Sequence, residues 1–296
     1  MSSFCGNHNH TDRCRGVSFL LLTMLISSAN DAIAKLMGQR LDSLQIIFFR
    51  FFFSFVTLIP FMFKMKAKVF ETVNLKFNFI RGILGVISFY LYTYALSKIS
   101  LVEVVTIMWT IPLFTMILSI FFLQERVTVA RWAATLFGFV GLVFLVCHDS
   151  DLNTLSFKWI YLVPCISAFL FAIQDIMIKR MIVTSENSVT MLLYFAIVAS
   201  ILTLVPATMV WQTPSMRELF LLSLLGLFAN LIQYFLMKAF DATNLSVLAP
   251  YRYIEFFISS IAGYIFFSEI PGINVTVGAM ILIPSTLYVA MAFRRR

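Results

Sequence analysis

Charged residues are scarce in this chain, because lysine, arginine, aspartate and glutamate make up only 12% of its 296 residues while 60% are hydrophobic. The mean hydropathy is +0.93. So few polar residues cannot cover the surface of a water-soluble domain. The apolar stretches are about 20 residues long, which suits helices that cross a bilayer and excludes the shorter alternating strands of a barrel. The composition therefore predicts an all-α, polytopic membrane protein.

The apolar stretches contain no histidine, and the chain contains no phosphate-binding loop. All three histidines, His8, His10 and His148, lie outside the apolar stretches. This removes the commonest general base and argues against a membrane-embedded hydrolase. No Walker-type glycine-rich loop occurs, so direct use of ATP is excluded. We expect no enzyme activity and no catalytic residue.

The four cysteines, at positions 5, 14, 147 and 165, lack the regular spacing of a disulfide framework. Cys5, His8, His10 and Cys14 fall within ten residues and have side chains that are able to hold a soft metal ion. We interpret this segment instead as a polar tail. Neither a metal site nor a cofactor is expected.

The chain aligns with itself at an offset of 144 residues without a gap. The run 30–35 meets the run 174–179, and both contain the pattern Asp-x-x-x-Lys. Further matched pairs are Met37 with Met181, Gly82 with Gly226, Tyr90 with Tyr234, Leu101 with Leu245, Phe122 with Phe266 and Glu125 with Glu269. One polytopic unit has been duplicated.

Hydropathy predicts ten membrane spans, five in each repeat, at 16–37, 43–63, 77–97, 101–122, 129–147, 159–180, 189–211, 218–240, 244–267 and 272–292. The predicted organisation is a cytoplasmic tail at 1–15, a first repeat at 16–147, an extracytoplasmic linker at 148–158, a second repeat at 159–293 and a cytoplasmic end at 294–296. Because five is odd, the second repeat enters the bilayer inverted relative to the first. Inverted repeats are typical of secondary transporters.

The cations are distributed unevenly between the two sides of the membrane. The side of the amino terminus collects Arg13, Arg15, Lys64, Lys66, Lys68, Lys76, Arg81, Arg126, Arg131, Lys179, Arg180, Lys238, Arg294, Arg295 and Arg296. The opposite side has Arg40, Lys98, Lys158 and Arg217. This bias predicts that both termini are cytoplasmic. Lys35, Arg50 and Arg252 are the three cations expected within spans.

Charges within the spans are candidates for function, because an unpaired charge there costs several kcal/mol. Glu255 lies near the middle of the ninth span, three residues after Arg252, so the two side chains share a helical face. Pro250 is expected to disturb the helix just before them. This pair either lines a cavity or forms a structural ion pair.

Asp31 and Asp175 are matched by the repeat, and each precedes a lysine by four residues. Lys35 and Lys179 lie near helix ends, where we expect them to reach the interface, whereas the aspartates lie a turn deeper. Arg50 has no charged counterpart in the second repeat. It either binds a carboxylate of a ligand or pairs with Asp31 or Glu103.

Aromatic and amide side chains complete the candidate site. Trp109 and Tyr253 coincide at the repeat offset, as Tyr90 and Tyr234 do, and Tyr251 and Tyr253 flank Arg252. Aromatic faces beside carboxylates suit a cationic or planar ligand. Asn230 and Gln233 add amides on one face of the eighth span, either for the ligand or as contacts between helices.

Two five-span halves that each close the fourth span with Phe-x-x-Glu resemble the paired EamA-type repeats of the drug/metabolite transporter superfamily. The matching residues are Phe122 to Glu125 and Phe266 to Glu269, and the stretch 125–128 followed by Gly138 and Gly141 resembles the signature at the start of the fifth helix. The second copy departs from this pattern at Pro284. The resemblance covers residues 16–293.

More narrowly, the chain resembles the S-adenosylmethionine uptake transporters of obligate intracellular bacteria. The matched features are the two Asp-x-x-x-Lys elements, the run Arg50 to Phe53 and the element Tyr251 to Tyr253. The resemblance implies an inner-membrane carrier that works by alternating access and has no nucleic-acid partner. Uptake of S-adenosylmethionine is implied, with or without exchange for S-adenosylhomocysteine. The main alternative is an exporter of amino acids or other small metabolites.

Overall fold

The computed structural model describes residues 10–99, 104, 107–125, 127–129, 132, 133, 135, 136, 159–255, 258, 261, 264 and 265. Its helices are α1 (His10–Met37), α2 (Ser43–Met65), α3 (Leu75–Lys98), α4 (Ile111–Leu123), α5 (Leu162–Val183), α6 (Ser188–Met209), α7 (Met216–Ala242) and α8 (Leu245–Leu248). Short 3-10 helices cover Lys66–Phe70, Trp159–Tyr161 and Ala249–Ile254.

Six of these helices, α1 to α3 and α5 to α7, are long and apolar enough to cross a membrane, with mean hydropathies from 1.4 to 2.3. They correspond to the predicted spans one to three and six to eight. Helix α1 begins at His10, so the predicted tail at 1–15 is partly helical. Most of the fifth span, the tenth span, the linker at 148–158 and residues 294–296 lie outside the described residues, as do residues 1–9 of the proposed tail.

Side chains at the helix starts explain where several helices begin. Asp42 Oδ1 accepts a hydrogen bond from the backbone nitrogen of Leu44 (2.8 Å) at the start of α2. Asn187 Oδ1 does the same for Val189 (2.8 Å) at the start of α6. At α7, Ser215 and Glu218 form a capping box. Each cap satisfies amide donors that have no partner within the helix.

The helices pack between the repeats in a symmetric pattern. Helix α1 packs on α7, and its repeat counterpart α5 packs on α3. Helix α2 contacts α7, and its counterpart α6 contacts α3, while α2 and α6 also contact each other. Each contact between a helix of the first repeat and a helix of the second therefore has a counterpart in which the two repeats have changed roles.

Matched glycines allow the closest of these contacts. A Cβ atom added to Gly226 would lie 2.6 Å from the backbone nitrogen of Ser54 in α2. A Cβ atom added to Gly82 would lie 2.5 Å from Cγ1 of Val198 in α6. Val198 is the residue that matches Ser54 at the repeat offset. The duplication has thus kept one close helix crossing at both positions, and only a residue without a side chain fits there.

Asn230 joins α7 to α2 beside this crossing. Its Oδ1 atom accepts a hydrogen bond from the hydroxyl of Ser54 (2.7 Å). Its Nδ2 atom donates to the carbonyl oxygen of Ser54 and to the hydroxyl of Thr57, both at 2.7 Å. The sequence allowed Asn230 either to face the ligand or to make contacts between helices. These hydrogen bonds place it in the helix interface.

We predict that Gly226→Ala destabilises the protein, because the new methyl group meets the backbone of α2 and overpacking costs about 1–3 kcal/mol. The measurement is the melting temperature of the detergent-purified protein. Gly38→Ala is the control, because the nearest atoms to an added Cβ there are 3.4 Å away or more. Equal melting temperatures for the two variants would contradict the close crossing of α2 and α7.

Candidate functional site

A cavity lies among α1, α2, α3, α4, α5, α7 and the segment that follows α8. The space open to the centres of water molecules is about 160 Å³. Two apolar clusters contribute to its walls: Trp109 and Tyr92 belong to one, and Leu20 and Met24 belong to the other. The lining residues are Leu20, Thr23, Met24, Ser27, Asn30, Asp31, Arg50, Phe89, Tyr92, Met108, Trp109, Ile111, Pro112, Phe171, Asp175, Ile232, Gln233, Leu236, Arg252 and Glu255.

Asp31 of α1 lies at one side of this cavity and is 7% exposed. The hydroxyl of Tyr92 donates a hydrogen bond to its carboxylate, and the charged groups that act on it most strongly are Glu255 and Arg50. Asp31 therefore has one anionic and one cationic neighbour. Among the described partners, two carboxylates and one arginine meet at Asp31.

Arg50 reaches the same region from α2. Its guanidinium carbon lies 4.3 Å from the centre of the Phe89 ring, a cation–π contact. Because arginine only donates hydrogen bonds, the amide of Asn30 must turn its oxygen toward Arg50 Nη1, at 2.5 Å. Of the two partners considered for Arg50, Asp31 is thus beside it, while Glu103 lies outside the described residues.

Glu255 and Arg252 do not form the salt bridge that their spacing suggested. Arg252 Nη2 lies 2.7 Å from Oδ2 of Asp175, on α5. Glu255 accepts a hydrogen bond from the hydroxyl of Ser27, on α1, and Arg252 acts on it as a nearby charge. The spacing placed both side chains on one face correctly, but a long arginine side chain reaches an acid on another helix. The backbone around Pro250 is a 3-10 helix, as a proline at this point favours.

Asp175 is the most heavily paired carboxylate of the site. Besides the salt bridge with Arg252, its Oδ2 atom accepts a hydrogen bond from the hydroxyl of Thr115 (3.4 Å). Arg81 is a second cation that acts on it. Asp31 and Asp175 match in the repeat, yet Asp175 has two cationic neighbours where Asp31 has one. The cavity is therefore electrostatically unequal on its two sides.

Arg81 was assigned from the charge bias to the helix ends on the side of the amino terminus, and the structure buries it within α3. Its side chain is fully buried, with 0% exposure. Nη1 donates to the carbonyl oxygen of Met191 (3.2 Å), and Nη2 donates to Oε1 of Gln233 (2.8 Å). The sequence signal for this burial is a polar and small stripe at helical spacing along α3, formed by Asn78, Arg81, Gly85, Ser88 and Tyr92.

Lys179 is also buried, at 7% exposure, so it does not reach the interface as expected. It donates hydrogen bonds to the carbonyl oxygens of Phe240 and Thr243 (3.0 Å for Thr243) at the end of α7. Nearby, the carboxylate of Glu125 accepts from the backbone nitrogens of Leu245 (3.2 Å) and Ser246 (3.1 Å). These contacts tie α4 and α5 to the break between α7 and α8.

The structure brings together seven of the twelve candidate residues along the cavity: Asp31, Arg50, Trp109, Asp175, Gln233, Arg252 and Glu255. Four others lie elsewhere. Asn230 is in the α2–α7 interface, Tyr90 packs on Tyr94 with 6.0 Å between ring centres, and Tyr234 is 37% exposed. Tyr251 packs against the apolar cluster that includes Leu20. The side chain of Tyr253 lies outside the described residues.

Comparison with known proteins gives strong matches over nearly the whole chain. The S-adenosylmethionine uptake transporter of Rickettsia felis is 40% identical over 275 residues, covering 93% of this chain and 92% of that protein. The protein of the same name from Rickettsia prowazekii is 38% identical over the same shares. A solved crystal structure that is 15% identical covers 96% of this chain and 98% of its own, with a TM-score of 0.76, which supports the fold alone.

The model of the EamA-like transporter family matches the chain twice, over residues 14–147 and 158–291. Both resemblances stated from the sequence are thereby confirmed, as is the class of multi-pass membrane protein. The chain belongs to the EamA-like transporter family and carries two copies of the unit that defines it.

Proposed function

We propose that this protein is a secondary transporter that takes up S-adenosylmethionine by alternating access. The observation that carries the proposal is the 40% identity to a transporter of that name over 93% of the chain. The cavity supports it, because buried carboxylates, arginines and aromatic rings face one space between the repeats. Transporters of this general kind bind substrate between their repeats.

The chemistry of S-adenosylmethionine fits the groups that line the cavity. Its sulfonium and ammonium groups suit the carboxylates of Asp31 and Glu255. Its carboxylate suits an arginine, either Arg252 or Arg50. Its adenine ring suits an aromatic face such as that of Trp109, and Tyr253 remains a candidate for the same role.

The finer architecture belongs to the same proposal. Ten membrane helices form two five-helix repeats of inverted topology, at 16–147 and 159–293, and both termini lie in the cytoplasm of a bacterial inner membrane. The offset of 144 residues, the symmetric packing and the bias of cations toward one side support this arrangement.

Alternating access follows from that symmetry. Helices α1, α2 and α3 make with α5, α6 and α7 the same set of contacts in both directions. In an inverted repeat, an arrangement that is open to one side has a counterpart, with the roles of the two repeats exchanged, that is open to the other side. The matched glycines at the α2–α7 and α3–α6 crossings allow the helices to stay in close contact as they move.

We predict that radiolabelled S-adenosylmethionine accumulates in cells or vesicles that contain this protein. An excess of unlabelled S-adenosylmethionine suppresses the signal, whereas the same excess of amino acids or nucleosides leaves most of it. Vesicles without the protein are the control. Failure of unlabelled S-adenosylmethionine to compete would exclude the proposed substrate, and suppression by amino acids would favour the exporter of small metabolites.

We predict that Glu255→Gln lowers the kcat/KM of uptake by about tenfold to a hundredfold, because an interaction with a charged group contributes about 1.5–3 kcal/mol. Glutamine keeps the size of the side chain and is still able to accept a hydrogen bond from Ser27. Uptake is normalised to the amount of folded protein in the membrane.

Glu71→Gln is the matched control, because Glu71 is exposed and outside the cavity. Glu125→Gln is less suitable, since Glu125 is 7% exposed and caps α8. Uptake by the Glu255 variant at the rate of the Glu71 variant would remove Glu255 from the site.

We predict that an inside-negative potential drives the accumulation. S-adenosylmethionine carries a net positive charge at neutral pH, and one charge gains about 2.3 kcal/mol per 100 mV. Vesicles with a potassium diffusion potential of 100 mV therefore reach an internal concentration about fiftyfold higher than the external one.

Preloading the vesicles with S-adenosylhomocysteine separates uptake alone from exchange. If uptake at the imposed potential starts only after preloading, the transporter is an exchanger. If the potential does not change the accumulation in either preloaded or empty vesicles, transport does not move net charge across the membrane.

A further inference from the structure

The amide of Gln233 is held in one orientation by Arg81. Gln233 Oε1 accepts a hydrogen bond from Arg81 Nη2 at 2.8 Å. Arginine has no acceptor, so the oxygen rather than the nitrogen of the amide must face it. Gln233 lines the cavity, and its amide nitrogen, which is not the atom that faces Arg81, is the donor that this arrangement leaves for a ligand.

Arg81 is itself fixed and fully buried. Its second terminal nitrogen donates to the carbonyl oxygen of Met191 (3.2 Å), and its guanidinium carbon lies 4.6 Å from the centre of the Phe195 ring. A guanidinium held by Met191 and Phe195 defines the position of the amide that it binds. The contact also joins the repeats, since Arg81 lies on α3 and Gln233 on α7.

The charges around the cavity distinguish its two sides. Arg81 and Arg252 both act on Asp175, so the side of Gln233 and Arg252 has an excess of positive charge. Among the described residues, Asp31 and Glu255 lie together with Arg50, and Arg252 acts on Glu255 as well as on Asp175. The two carboxylates beside Asp31 and the two arginines beside Asp175 favour an orientation in which the carboxylate of a zwitterionic ligand lies toward Gln233 and its cationic groups lie toward Asp31 and Glu255.

We infer that Gln233 Nε2, positioned by Arg81, donates a hydrogen bond to the carboxylate of the substrate, while the cationic groups of the substrate lie toward Asp31 and Glu255. This inference rests on the proposed function, because it assigns an orientation to S-adenosylmethionine. Gln233 is then a binding residue, and Arg81 is a positioning residue that acts through it.

The test is Gln233→Glu. Glutamate keeps the length of the side chain and the acceptor for Arg81, but it removes the donor and places a carboxylate beside that of the substrate. We expect the KM for S-adenosylmethionine to rise on the order of tenfold or more. Decarboxylated S-adenosylmethionine lacks the carboxylate, so its inhibition constant changes much less. Gln39→Glu makes the same chemical change at an exposed position and leaves both constants unchanged.

Arg81→Lys tests the positioning role by the same comparison. Lysine keeps the charge but not the planar pair of donors, so the amide of Gln233 loses its fixed orientation. We expect a rise in KM that is larger for S-adenosylmethionine than for its decarboxylated analogue. A structural role alone would lower the amount of folded protein without this difference between the two ligands.

The outcomes separate the inference from the proposed function. No uptake of S-adenosylmethionine by the parent chain would overturn the proposed function, and the inference with it. Uptake by the parent together with an unchanged KM for Gln233→Glu would overturn the inference alone, since Gln233 would then serve only as the partner of Arg81. An equal rise for both ligands would also overturn it, because the amide would then face a part of the substrate other than the carboxylate.

Discussion

Charge compensation in a low-dielectric interior is the constraint on which the cavity depends. Asp31, Asp175 and Glu255 are carboxylates, and Arg50, Arg81 and Arg252 are guanidinium groups, and all six lie along or against one cavity. Each ion alone would cost several kcal/mol of desolvation, so the group is tolerated only because opposite charges and hydrogen-bond donors meet there. The partners come from different helices, and the same contacts therefore hold the helices around the cavity.

The repeat supplies a symmetric frame, but the charges break its symmetry. Of the six charged residues at the cavity, only Asp31 and Asp175 match each other at the repeat offset. Tyr194 stands opposite Arg50, Leu225 opposite Arg81, Met108 opposite Arg252 and Ile111 opposite Glu255. A symmetric frame suits a transport cycle that exchanges two packings, whereas an asymmetric ligand requires different groups on the two sides of its site. The duplicated chain meets both requirements because packing positions and lining positions have changed independently.

The sequence was sufficient for the class of protein, the repeat and the charged residues of the cavity lining. Six predicted spans correspond to helices in the described part of the chain, and seven candidate residues line one cavity. A charge in an apolar span is informative by itself, because a bilayer penalises every unpaired charge. Asn230, Tyr90 and Tyr234 show the limit of this signal, since an amide or a tyrosine in a span is tolerated in a helix interface or at an exposed surface as readily as beside a ligand.

The sequence by itself determined that the chain is an all-helical, duplicated membrane protein with a few buried charges, because these properties follow from hydropathy, spacing and self-similarity along one chain. Only the tertiary structure decided which charges meet. Arg252 forms a salt bridge with Asp175, and Glu255 accepts a hydrogen bond from Ser27. Arg81 is buried and donates a hydrogen bond to Gln233. Spacing fixes which residues share a face of one helix, but the partner across a helix interface depends on how separate helices are brought together, and long side chains such as arginine select among acids that are distant in sequence.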